Sequence, residues 1–304
     1  MRIIFMGTPD FAVASLEALL DAGENVVAVI TTPDKPAGRG QKMQESAVKK
    51  FAVQKGLPVL QPEKLKAPEF LSELQRYRAD LQVVVAFRML PEAVWNMPPL
   101  GTINVHASLL PQYRGAAPIN HAIINGEAFS GVTTFLLQHE IDTGHILFSK
   151  KVAIGPNDNA GVLHDNLMKA GAEVLLETVA AIKNNSVTPI SQDSVAETNL
   201  KTAPKIFKND CLIDWNRPTE VVFNQIRGLS PYPTAFTYLQ GKVLKIFETT
   251  KTTRIDKSPG DFETDGKTYL SFATEDGALQ IMSLQLEGKK RMEIDEFLRG
   301  YRFE

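Results

Sequence analysis

Asn104, His106 and Asp142 are the residues of this chain whose types and spacing could do chemistry. Asn104 and His106 stand two apart in the apolar run Ile103–Ala107. A strand there points both side chains to one face and turns Val105 into the sheet packing. If it ends near Ala107, the pair sits at its carboxyl end, where open parallel sheets place their ligands. An Asn amide donates to a carbonyl oxygen, and an imidazole gives or takes a proton near neutrality. Together they suit attack on a carbonyl whose oxygen becomes negative. Asp142, in the turn Glu140-Ile-Asp142-Thr-Gly144, is a plausible orienter of an imidazole. Each also has a plainer reading. Asn104 caps a turn, His106 is a satisfied core histidine, and Asp142 belongs to an ordinary Asp-x-Gly turn.

The elements that must position these residues follow from the hydrophobic pattern. Short apolar runs at Arg2–Met6, Val26–Thr31, Leu57–Leu60, Leu81–Phe87, Ile103–Ala107 and Val132–Gln138 read as strands. Helices are predicted over Phe11–Ala22, near Ser46–Lys55, over Pro62–Tyr77, from near Pro118, and over Ala160–Asn184. Pro33–Gln41 reads as a Pro/Gly-rich loop. Strands alternating with helices imply an α/β domain with a mostly parallel, Rossmann-like sheet covered on both faces. Residues 185–205 are polar and read as a linker. Beyond Ile206 come one helix (Pro218–Gly228) and short β runs at Ala235–Leu239, Lys242–Phe247, Thr268–Ala273 and Leu279–Gln285. Asp265-Gly266 and Asp276-Gly277 are hairpin signals between them. This part reads as a small antiparallel β-barrel (OB-like) or sandwich. The expected division is 1–184, catalytic; 185–205, linker; 206–304, the β-barrel domain.

Composition bounds the rest. The chain has 304 residues, 43% of them hydrophobic, enough for a substantial core. With 33 basic against 35 acidic residues, no cationic excess advertises nucleic acid, so RNA contact would have to come from local patches. Cys211 is the only cysteine, which excludes an internal disulfide and a Cys-based zinc site. The run Met1–Met6 is too brief for a signal peptide, and no stretch of about 18 apolar residues could span a bilayer. The expectation is a soluble, cytoplasmic protein. Gly7-Thr-Pro9-Asp has one glycine where a dinucleotide fingerprint wants three, so a Rossmann dehydrogenase is a weak reading.

The longer context of the three residues resembles a known family. Asn104-Val-His106-Ala-Ser-Leu-Leu-Pro-Gln-Tyr-Arg114-Gly-Ala-Ala-Pro118-Ile, followed by Asp142-Thr-Gly, closely resembles the signature of formyltransferases that use 10-formyltetrahydrofolate. That core alone fits several of them. Gly7-Thr-Pro-Asp-Phe-Ala12, Pro33-Asp-Lys-Pro-Ala-Gly-Arg39-Gly40, Ile213-Asp-Trp215 and Gly288-Lys-Lys-Arg-Met292 look like the branch acting on methionyl-tRNA, along essentially the whole chain. The resemblance implies that Asn104, His106 and Asp142 are the catalytic trio. It implies that Ser108, Leu109, Leu110 and Pro111 contact tetrahydrofolate, and that the loop of Phe87, Arg88 and Met89 lies against the pterin ring. There this chain has Ala86-Phe-Arg88-Met89 where the family more often shows a Tyr-Gly pair and one extra residue; Ala107 replaces a usual Gly. The implied co-substrates are 10-formyltetrahydrofolate and initiator methionyl-tRNA, with no metal, no membrane and a monomeric protein. Lys35, Arg39 and Lys42 are expected on an arm that meets the acceptor stem. Lys201, Lys205 and Lys208, with Lys289-Lys290-Arg291, are candidates for a second patch tracking the RNA backbone. Surface cations are as often merely solvated.

Overall fold

A computed structural model describes residues 1–37, 42–195 and 199–303. They pack as two units. The first comprises Met1–Gly115, Gly131–Val152 and Asp165–Thr202; the second comprises Ala116–Ser130, Ala153–His164 and the chain from Ala203 onward.

In chain order the elements begin with β1 (Arg2–Gly7), α1 (Asp10–Asp21), β2 (Asn25–Ile30), β3 (Lys35–Ala37) and β4 (Lys42–Gln44). There follow α2 (Ala47–Gln54), β5 (Val59–Leu60), α3 (Pro68–Arg76), β6 (Leu81–Val85), α4 (Glu92–Trp95) and β7 (Thr102–His106). Then come β8 (Arg114–Gly115), α5 (Pro118–Ile124), β9 (Phe129–Leu136), β10 (Ile146–Ala153) and the long α6 (Ala160–Lys183). The main sheet has the order β10-β9-β7-β6-β1-β2-β5. From β7 to β5 every pairing is parallel. Ile3, Phe5, Leu81, Val83, Val85 and Ile103 are fully buried, the pattern of strands covered on both faces. Gly171 of α6 sits where an added Cβ would stand 3.3 Å from Val105 Cγ1 and 3.6 Å from Val132 Cγ1. The missing side chain lets α6 lie close on the face of the sheet opposite to Asn104 and His106.

The sheet is mostly parallel, as expected, with β9 reversed, and three further expectations change here. β9 runs antiparallel to β7, with His106 opposite Thr133 and Ile103 opposite Leu136. An apolar run reads the same in either direction, so the reversal leaves no mark in its pattern. The helix expected over Pro62–Tyr77 begins only at Pro68, because Ala67, preceding a proline, is held extended at φ −64°, ψ 131°. The strand expected to Phe87 stops at Val85, since Ala86 takes φ +47°. The segment read as a loop, Pro33–Gln41, includes β3, which pairs antiparallel with β4. At the base of that ribbon Asp34 accepts hydrogen bonds from Lys49 Nζ (2.5 Å) and Gln61 Nε2 (2.8 Å).

After β11 (Thr202–Ala203), the second unit adds α7 (Thr219–Leu229), β12 (Ala235–Leu239), β13 (Lys242–Thr252) and β14 (Phe262–Thr264). It closes with β15 (Leu270–Ala273), β16 (Ala278–Leu286), β17 (Met292–Glu293) and α8 (Ile294–Gly300). The strands form an antiparallel sheet in the order β12-β13-β16-β15-β14, with β17 on β16. Register shifts between Ile246 and Thr249 bend β13 against β16, curling the sheet into a half-barrel. Inside the curl Trp215 stacks on Phe272 at 4.8 Å and donates Nε1–H to Thr237 Oγ1 at 3.0 Å. Both Asp-Gly signals mark hairpins. Asp265 Oδ1 accepts from Lys267 N and Thr268 N at the β14–β15 turn. Asp276 Oδ1, at the β15–β16 turn, accepts from Thr219 N and so caps α7 from outside the helix. α5 and α7 pack so closely that a Cβ on Gly228 would stand 2.6 Å from Ile124 Cγ1. Burial pushes the Cys211 thiol above its ordinary range, as fits a core residue rather than a nucleophile. Among the described residues no helix is long and apolar enough to cross a membrane.

Candidate active site

Because β1, β6 and β7 are parallel and in register through Gly7, Val85 and Val105, the segments that follow them leave from one end of the sheet. Thr8-Pro9, Ala86–Leu90 and Ala107–Pro111 therefore share the carboxyl end, where such sheets bind ligands. Asn104 and His106 share one face of β7, as period two requires. The Asn104 side chain is half-buried, and no hydrogen bond among the described residues engages it. A half-exposed amide with no internal partner is free to bind from outside.

His106 is 6% exposed and fixed by two neighbours. Nε2 lies 3.0 Å from the carbonyl oxygen of Tyr113. A carbonyl only accepts, so Nε2 carries the hydrogen, and Nδ1 is the nitrogen left to gain or lose a proton. The Phe135 ring meets the imidazole edge-on at 6.5 Å. Nδ1 faces Asp142 Oδ2 at 3.9 Å, too far for a hydrogen bond but close for an ion pair once the ring is charged. The sequence suggests Asp142 as the orienter of the ring, whereas the hydrogen bond that fixes it is the one His106 Nε2 donates to the Tyr113 carbonyl. Asp142 is itself held, accepting Gly115 N–H on Oδ2 at 3.1 Å, and its backbone takes φ +56°. Gly144 follows because a Cβ there would fall 1.6 Å from the Leu136 carbonyl oxygen.

The loop after β7 is pinned from β9. Thr133 Oγ1 donates to Ser108 O at 2.7 Å and accepts Leu110 N–H at 3.1 Å, while Ser108 Oγ donates to Gln112 O at 2.6 Å. Ser108, Leu110 and Pro111 are buried and Leu109 is half-buried, and the Ser108 carbonyl and the Leu110 amide are both taken up by Thr133. Ala107 does not have positive φ, so replacing the usual glycine strains nothing. In the loop after β6, Phe87 packs on the sheet core and Met89 is exposed. Arg88 there donates from Nη1 to Glu63 O at 3.0 Å and from Nη2 to Pro62 O, and burial lowers the pKa of its guanidinium.

The cations expected to meet RNA are distributed differently. Lys35 is exposed on β3. Arg39 lies outside the described residues, as does the Lys42 side chain. Lys201, Lys205 and Lys208 are exposed, with Lys205 Nζ 5.4 Å from the centre of the Phe207 ring. Lys290 is paired with Glu296 at 3.1 Å, and Arg291 lies over Phe247 while donating to Ser283 Oγ. Among the described residues no three His, Cys, Asp or Glu side chains stand close enough to hold a metal ion.

The comparisons with known proteins cover both parts of the chain. The family described as "Formyl transferase" matches residues 1–179, and "Formyl transferase, C-terminal domain" matches 205–302. Methionyl-tRNA formyltransferase of Bacteroides thetaiotaomicron is 56% identical over 309 aligned positions, covering 99% of this chain and 96% of that protein. The same enzyme of Flavobacterium johnsoniae is 49% identical, covering 100% and 97%. Among solved structures, HypX from Aquifex aeolicus in complex with tetrahydrofolic acid superposes with TM-score 0.68 at 19% identity, over 99% of this chain and 48% of that one. The N-formyltransferase from Helicobacter canadensis, in complex with folinic acid and dTDP-3-aminofucose, gives 0.67 at 21% identity, over 96% and 100%. At those identities the two structures show a shared fold.

Proposed function

This chain belongs to the formyl transferase family, among the methionyl-tRNA formyltransferases, and from that premise we infer that it transfers the formyl group of 10-formyltetrahydrofolate to the α-amino group of methionine on initiator tRNA. The observation that carries the chemistry is the Asn104 amide, unpartnered among the described residues, on the same face of β7 as His106, which Asp142 faces in turn. The loops 86–90 and 107–111 leave from the ends of the adjacent strands β6 and β7, which suits them to hold a flat donor beside that amide. When bound, 10-formyltetrahydrofolate supplies an activated formyl group on a leaving nitrogen. The α-amine titrates near neutral pH, so it needs no covalent enzyme intermediate to act as the nucleophile. Asn104 donates to the formyl oxygen as it becomes negative. The attacking amine must lose a proton and the leaving nitrogen must gain one; His106 Nδ1 is the position that can carry it between them. Asp142 balances the charge on the ring while the proton is there.

In this reading residues 1–184 carry the reaction, 206–304 hold the tRNA, and Lys35, Arg39, Lys42, Lys201, Lys205 and Lys208 contribute to RNA contact. Ser108–Pro111 and Phe87–Met89 contribute to the folate site. The protein acts as a monomer in the cytoplasm. The test offers 10-formyltetrahydrofolate with charged initiator tRNA, free methionine or a sugar amine as acceptor. Formyl transfer to the charged tRNA alone is expected. Equal or better transfer to the sugar amine would overturn the assignment of acceptor.

A further inference from the structure

The segment after α6, polar in sequence, does not simply connect. Ile190 pairs with Ile146 through two backbone hydrogen bonds, of 2.8 and 2.9 Å. Gln192–Ser194 then form a single helical turn, and Val195 packs on the cluster of Leu110, Phe135 and Ile146. Gln192, at the start of that turn, is only 3% exposed. Its Nε2 donates to the carbonyl oxygens of Asp142 (2.9 Å) and Gly144 (2.7 Å). Its Oε1 accepts from Arg114 Nε (2.9 Å) and Nη2 (2.6 Å).

A glutamine side chain offers two N–H donors and an oxygen with two lone pairs, and here all four positions are used. The amide has one workable orientation. Turned over, it would aim its N–H groups at a guanidinium and its oxygen at two carbonyls. The turn it grips needs gripping, because Asp142 occupies left-handed backbone at φ +56°, unfavourable for a residue with a Cβ. On the other side the Asp142 carboxylate is held by Gly115 N–H, next in the chain to Arg114. Gln192 thus joins the two backbone segments that set the position of the carboxylate facing His106.

We propose that Gln192 is a positioning residue for the transfer reaction: its amide fixes the Asp142 turn against the Arg114–Gly115 segment, and so sets the place of the Asp142 carboxylate relative to His106. The inference rests on the reading of Asp142 as part of the catalytic site. Its effect is on the chemical step, since misplacing a reacting group by about 1 Å can cost up to about 100-fold in rate.

Gln192→Glu separates the two sides of the amide. A carboxylate still accepts from Arg114, more strongly than before, but offers no donor to the carbonyls of Asp142 and Gly144. The expected result is a kcat about 10- to 100-fold lower. KM for each co-substrate should stay within about threefold of the parent, since the variant removes no contact made by either ligand. Gln192→Met keeps the volume, loses every hydrogen bond, and is read the same way if the glutamate variant does not fold. A merely structural glutamine predicts a lowered Tm with kcat unmoved in the folded fraction, and that result overturns the proposal. Asp142→Asn is measured alongside. If it turns over near the parent rate, the reading of the site fails and the proposal with it. If it is crippled while both Gln192 variants keep full kcat, the proposal alone fails.

Discussion

In the proposed mechanism, truncating Asn104 to alanine removes the donor to the formyl oxygen. Its side chain is half-exposed and makes no hydrogen bond among the described residues, so truncation breaks no hydrogen bond there. Asn104→Ala should keep the parent Tm while single-turnover formylation slows by roughly 100- to 1000-fold. A variant that folds and turns over at near the parent rate would sink the role. At this scale period two put Asn104 and His106 on one face, whereas Asp142 sits in a common Asp-x-Gly turn and gained its catalytic assignment only through the family resemblance. Tyr113 and Gly115 fall inside the quoted motif but act through backbone atoms, which sequence does not distinguish from any other residue's. Gln192 left no signal because its partners are two carbonyls and an arginine far away along the chain, and a polar residue among polar residues reads as linker.

Between residue and molecule stand the elements that aim these groups, and β9 is the instructive one. Its reversed direction puts Thr133 opposite His106, from where its hydroxyl both donates to Ser108 O and accepts from Leu110 N. Thr133→Val keeps the shape and removes both bonds, leaving a buried amide and a buried carbonyl unpaired at a cost of about 1–3 kcal/mol each. The expected outcome is a lower Tm and a raised KM for the folate, because the 107–111 loop loses its tether. Unchanged folate KM in a destabilised variant would show that the loop keeps its place without Thr133. The direction of β9 was not legible, since hydrophobic pattern records burial and not polarity of the chain. The ribbon of β3 and β4 was hidden too: arms of three residues are too short for alternation, and Pro36 and Gly38 made the composition that of a loop. Strands such as β6, buried throughout, and β1, buried beyond Arg2, were legible because they are covered on both sides.

Over the whole molecule, carboxylates engaged by donors set how stability depends on acid. Lys49 and Gln61 hold Asp34 below the usual carboxylate range. The hydroxyl and backbone N–H of Thr268, with Lys267 N–H, do the same for Asp265, and Thr219 N–H and hydroxyl for Asp276. A carboxyl whose pKa is lower folded than unfolded contributes stability above its unfolded value, about 3.9, and loses it as pH falls toward the folded one. Tm should therefore hold between about pH 7 and 5 and decline below about pH 4. A chain carrying Asp265→Asn and Asp276→Asn should start from a lower Tm at neutral pH and show a shallower acid decline. Identical slopes in parent and variant, followed by thermal melts across that range, would show these turns to be irrelevant to acid unfolding.

The way the second unit is assembled from the chain has its own consequence. Residues 116–130 belong with α7 and the antiparallel sheet, though they are made long before them. Ala122 and Ile123 on α5 are buried in the finished protein, and Gly228 of α7 supplies the close fit against Ile124. On the ribosome the early half therefore emerges with an apolar helix whose docking partner has not yet been translated. A chain that ends before α7 lacks the close fit at Gly228 that Ile124 of α5 meets in the finished protein.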